Sequence, residues 1–146
     1  MKQTKQNGIA ILEAMIAILI FSMGIIALMG MQATTINNVA DAKYRNTASF
    51  YADQMVGMIW AKRTGSTVPI SGVYYASPDT SFACNPCSST NGNADTQAWL
   101  AQIQSAVPSA TASIAASSVS PLVTVTVGWT PPNAASHVQV AYTYIN

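Results

Sequence analysis

An α+β fold is what this chain predicts: one long N-terminal helix laid on a small antiparallel sheet. Three observations carry that expectation. From Gly8 to Ala40 the chain is uncharged except for Glu13. No proline occurs before Pro69, and apolar residues recur at three- and four-residue steps from Ile36 to Ile59. Near the C-terminus, Leu122–Trp129 and Val138–Tyr144 alternate with the two-residue period of strands. The helix face needs a cover, and each strand has one apolar side to offer. A sheet this small would be marginal without the helix.

The elements follow in order. Met1–Gly8 is a short polar leader with Lys2 and Lys5 and no acid. Ile9–Met31 is apolar all round and long enough to cross a bilayer as a helix. It is longer than the apolar core of an ordinary secretory signal, and no A-x-A-like site lies near its end. Lys2 and Lys5 should stay cytoplasmic, placing the C-terminal bulk across the membrane. Gly24 and Gly30 each weaken an isolated helix by about 1 kcal/mol relative to Ala. They suit either close helix packing or a segment that loosens outside the bilayer.

Residues 32–63 continue the helix in amphipathic form. Its apolar side is expected to carry Ile36, Val39, Ala40, Tyr44, Thr47, Phe50, Tyr51, Met55, Met58 and Ile59, with Lys43 among them. Asn38, Asp41, Arg45, Ser49 and Asp53 should form the wet side. Residues 64–146 form the head. Thr67–Tyr75 reads as one strand weakened by Pro69 and Gly72, and Ser77–Asn93 as a loop. Asp95 should cap a helix that runs to Gln104, buries Trp99, Leu100 and Ile103, and is ended by Pro108. Ser109–Ser118 is a weaker strand, and Pro131-Pro132-Asn133 turns the chain between the two clear ones.

Composition narrows the function. Half of the 146 residues are apolar and only 8% are charged, against about 25% in an ordinary soluble domain. Without the leader, four basic residues face five acidic ones, a net side-chain charge of −1. That leaves no basic patch for nucleic acid. No G-x-S-x-G elbow, phosphate loop or carboxylate pair appears, and His137 lacks a recognisable nucleophile and orienting acid. It reads as a surface or edge-strand residue. The expectation is no catalysis, no cofactor and no metal. The seven methionines read as adaptable packing.

Cys84-Asn85-Pro86-Cys87 is open to two readings. A C-x-x-C spacing allows thiol–disulfide redox chemistry. It equally allows a structural disulfide that pins a loop in an oxidising compartment. Ser-Ser-Thr-Asn-Gly-Asn follows it, and the helix begins only near Asp95. The helix N-terminus that lowers a redox thiol's pKa is therefore not adjacent, which favours the disulfide.

The basic leader, Gly8, the apolar Ile9 and Glu13 five residues into a long apolar helix resemble the N-terminus of type IV prepilins and type II secretion pseudopilins. The resemblance implies cleavage by prepilin peptidase between Gly8 and Ile9, with Ile9 then N-methylated. The family usually has Phe or Met where this chain has Ile9. Closer still, Cys84-x-Pro86-Cys87, Thr96–Leu100 around Trp99 and Val123–Trp129 resemble the minor pilins of the PilV type. Ile25–Leu28, Met31–Thr34 and Ala52–Met55 are similar to segments of those proteins. Major pilins usually enclose a C-terminal loop with their disulfide, and this chain has no cysteine there.

A type IV pilin-like fold is what the resemblance implies, along with a minor subunit held in the inner membrane before assembly and in the pilus at the cell surface afterwards. Its implied partners are other minor pilins, the major pilin, prepilin peptidase, the pilus assembly platform and a tip adhesin. The implied work is priming pilus assembly, and through it twitching motility and adhesion. A minor pseudopilin of type II secretion shares leader, helix and size; a membrane-tethered thiol oxidoreductase is the alternative from another class. Glu13 has its own physical logic. A carboxylate in a bilayer costs about 2.5–3.5 kcal/mol on insertion scales. A neighbouring subunit's α-amino group on Ile9, largely protonated at neutral pH, would recover part of that cost and set axial register.

Overall fold

The computed structural model describes residues 7–63, 67–70, 73–132 and 134–145, with side chains over 9–63, 76–132 and 134–145. The leader's Lys2 and Lys5, and also Gly65, Gly72 and Asn133, lie outside the described residues. Contacts divide the chain into two units, Met1–Ala40 and Asp41–Asn146. The helix α1 (Asn7–Ala61, 55 residues) contributes to both.

Within the first unit every side chain from Ile9 to Val39 is exposed, apolar or not. By length and composition this part of α1 suffices to cross a membrane. Its hydroxyls are satisfied inside the helix: Ser22 Oγ donates to the Ile18 carbonyl at 2.7 Å, and Thr35 Oγ1 to that of Met31 at 2.9 Å. Such back-bonding lets polar side chains sit in an apolar surround. A Cβ added at Gly24 or Gly30 would meet nothing within 4 Å. Any close approach these glycines serve is to a surface outside the chain.

In the second unit α1 buries Ala48, Ala52, Met55 and Ile59, a stripe at steps of four, three and four. Tyr44, Tyr51, Val56, Met58 and Trp60 flank it. The expected face is met in part: Met55 and Ile59 are buried, with Tyr44, Tyr51 and Met58 against the core. Phe50 stays 63% exposed on the far side, and Ile36, Val39 and Lys43 are exposed too. Asp41, expected to be wet, falls one heptad before Ala48 and is partly buried. Two small residues, Ala48 and Ala52, and two large ones, Met55 and Ile59, thus share the buried stripe, and the aromatic side chains pack at its margins.

The expected single strand Thr67–Tyr75 is instead a hairpin, β1 (Thr67–Ile70) paired antiparallel with β2 (Val73–Ala76). The segment read as loop contains a 3-10 turn, Thr80–Phe82, capped by the Asp79 side chain on the Ser81 N–H at 2.9 Å, with Phe82 wholly buried. Next comes α2 (Ala94–Ala106). Asn93, not Asp95, caps it by accepting from the Thr96 N–H at 2.9 Å. Asp95 lies in the first turn and pairs with Lys62. Trp99, Leu100 and Ile103 are buried as expected.

The main sheet is β3 (Thr111–Ser117), β4 (Ser120–Trp129) and β5 (His137–Tyr144), antiparallel in that order. Val123, Val125, Val127 and Trp129 point into the core with Ile114 and Ile145. β4 thus matches its alternation. β5 reverses it: Val138, Val140, Tyr142 and Tyr144 are exposed, while His137, Gln139, Ala141 and Thr143 face inward. Register decides this outcome. Val140 stands opposite Thr126 and Ala141 opposite Val125, so the inward row of β4 dictates that of β5.

Candidate functional site

Two sets of residues carry the functional expectations, one on each unit. On the first, Gly8, Ile9 and Glu13 all lie on α1, and Ile9 and Glu13 are one turn apart on the same side. The side chain of Gly8's neighbour Ile9 is 60% exposed, and Glu13 is exposed among apolar residues. No basic side chain belongs to the described stretch before Lys43. Among the described residues of this stretch, Glu13 therefore has no basic side chain to pair with.

On the second unit Cys84 and Cys87 form a disulfide across a Cα separation of 4.7 Å. Both are buried, at 6% and 9% exposure, and belong to the core cluster. The loop is stitched to β3. Cys84 and Ile114 exchange backbone hydrogen bonds of 3.0 and 2.8 Å, and the Cys87 N–H donates to the Ala112 carbonyl at 2.8 Å. Downstream, Asn91 holds the loop's other side, its Oδ1 accepting from the Ser88 N–H and its Nδ2 donating to the Pro86 carbonyl at 2.7 Å. Helix α2 starts seven residues after Cys87, too late to stabilise a thiolate. The arrangement buries the disulfide and fastens its loop to β3.

His137 has company that sequence reasoning missed. Its Nε2 lies 3.3 Å from Asp41 Oδ1, and its Nδ1 lies 3.4 Å from an Arg45 nitrogen. Arg45 also pairs with Asp41 at 2.9 Å. The His137 ring stands 5.5 Å from that of Trp129, whose buried Nε1 has no partner among the described residues. Asp41 and Arg45 share a helix face at i and i+4, which was the available signal; the 92 residues from Arg45 to His137 hid the third member. The group joins the start of β5 to α1. Its other end is joined by Trp60, whose Nε1 donates to Thr143 Oγ1 at 3.2 Å.

The notch between Gln54, Met58, Asp95 and Trp99 holds about 110 Å³, well under the roughly 300 Å³ at which ligand pockets begin. The hollows along Leu28–Ile36 and Met15–Ile26 are the surface of a single helix. Among the described residues no three His, Cys, Asp or Glu side chains converge on a metal position. Comparison with protein-family models, curated proteins and solved structures found no match.

Proposed function

We propose that this chain is a minor pilin of a type IV pilus, of the PilV type. It is made in the inner membrane, cut between Gly8 and Ile9 by prepilin peptidase, N-methylated on Ile9, and brought into a complex with other minor pilins that primes assembly. The observation that carries this reading is α1 itself. Residues 9–39 are a helix with no intramolecular cover and a lone carboxylate, Glu13, near its head. An exposed apolar surface of that extent has to be covered by lipid or by neighbouring helices. A charge within it is costly, and a partner from the next subunit would offset part of that cost.

The supporting features agree. A secretory signal would be discarded, leaving the head without Ala48, Ala52, Met55 and Ile59 if cut after the helix; those residues are core. The disulfide is buried and bound to β3, which supports a structural loop over a thiol oxidoreductase. The chain works as a building unit and catalyses nothing. Mass spectrometry of the mature N-terminus, together with pilus counts in a deletion strain, tests the reading. Methylated Ile9 with few or no surface pili is expected. An intact leader in cells would overturn it, and normal piliation would remove the assembly role.

A further inference from the structure

The two edges of the main sheet differ. The β3 edge is closed by the Cys84–Cys87 loop through its hydrogen bonds to Ala112 and Ile114. β5 forms the other edge. The Ile145 N–H donates to the Pro121 carbonyl at 3.0 Å, which sets the phase of the ladder. Odd-numbered residues of β5 face β4, so the N–H and C=O groups of Val138, Val140 and Tyr142 point outward. Among the described residues these groups have no backbone partner. The same residues carry the outer row of side chains, 62%, 47% and 73% exposed. No Asp, Glu, Lys or Arg occurs after Asp95. The charges that ordinarily blunt an edge are therefore missing, and Pro131 and Pro132 precede the strand instead of interrupting it.

We propose that β5 is a docking edge for an extended segment of a different polypeptide chain, which adds beside it as a fourth strand. Outward amides and carbonyls at every second residue call for a backbone of the same spacing, which lipid does not supply. The absence of charge and the apolar outer row call for an uncharged segment with aliphatic or aromatic residues at alternate positions. A second copy fails on direction. β5 begins beside Asp41 and Arg45 and ends beside Trp60, so it runs in the same direction as residues 41–60 of α1. Antiparallel pairing of two β5 strands would set these two helical segments in opposite directions, whereas copies anchored in one membrane share a direction. Parallel pairing would turn one outer row onto the partner's inner face. This exclusion of self-pairing, and nothing else in the proposal, rests on the anchor reading above.

The test uses the full-length chain in detergent micelles, titrated with a capped synthetic peptide of sequence His137–Tyr144, which has the required pattern and no anchor. Saturating peptide should slow amide exchange at Val138, Val140 and Tyr142 by about tenfold or more. A fully N-methylated version should do nothing. Val140→Pro removes an outward donor that an edge strand can spare, and should abolish the protection while β4 amides keep theirs; Val140→Thr should retain it. Four outcomes overturn the proposal: no protection, equal protection by the N-methylated peptide, protection that rises with chain concentration alone, or protection by phosphatidylglycerol vesicles. The third points to a second copy and the fourth to a lipid surface. None of them bears on whether the leader is cleaved, so this idea and the pilin reading can fail separately.

Discussion

Glu13 is the residue on which assembly is proposed to turn, because charge and position act together there. Its carboxylate stands one helical turn past Ile9 on a surface with no internal cover. Glu13→Gln keeps shape and removes charge, so it should leave membrane insertion intact while incorporation into pili is lost. Fractionation beside shear preparations of pili measures both; wild-type incorporation would dismiss the charge pairing. Trp99 illustrates a different logic. Its ring is buried and its Nε1 donates to the Tyr51 carbonyl at 2.9 Å, fastening α2 to α1. That carbonyl keeps its place in the α-helical ladder, so Trp99→Phe strands no acceptor and should cost about 1 kcal/mol or somewhat more from lost contact. Urea denaturation followed by far-UV circular dichroism reads it.

At the scale of elements, α1 and the Cys84–Cys87 loop serve the same sheet from different sides. Ala48 and Ala52 lie on the core side of α1, and both are fully buried. Ala52→Leu adds volume where nothing can yield, and should destabilise by about 1–3 kcal/mol, seen as a lower urea midpoint at unchanged slope. The disulfide loop closes the β3 edge. Replacing Cys84 and Cys87 by serine should cost about 2 kcal/mol, at the low end for disulfides because the enclosed loop is so short. Exchange at the Ala112 and Ile114 amides should then rise, whereas β4 amides keep their protection. A loss of thiol-oxidase activity as the sole consequence would instead favour redox chemistry.

For the whole molecule, charge distribution governs where the chain can live. The first unit carries Glu13 alone between Gly8 and Ala40, and the last 51 residues carry no Asp, Glu, Lys or Arg. Such a chain depends on burial and hydrogen bonding far more than on ion pairs. Exposed pairs such as Asp41–Arg45 contribute about 0–1 kcal/mol. Carbonate extraction should leave the intact protein in the membrane pellet, and deletion of Ile9–Met31 should move it to the soluble fraction. A wild-type chain released by carbonate would show that the apolar run does not anchor it.

The sequence by itself determined the two helices and the C-terminal strands, because period is a local property of the chain; the short Thr67–Ala76 hairpin and the Thr80–Phe82 turn have too few residues to show a period. The long α1, the helix around Trp99, β4 and the run from Val138 to Tyr144 were all legible that way. So were Glu13 and the cysteine pair, which announce themselves by contrast with their neighbours. Asn93 displaced Asp95 as the cap because both are good cap residues two positions apart, and only the backbone entering α2 chooses between them. Tertiary structure alone decided which faces meet. Ala48 and Ala52 joined Met55 and Ile59 on the inner stripe of α1 while Phe50 stayed outside, Asp41 came to His137, and β5 turned its apolar row outward. The physical reason is common to all three: a periodic strip states that one side differs from the other, but which side is buried depends on the shape and register of the surface opposite.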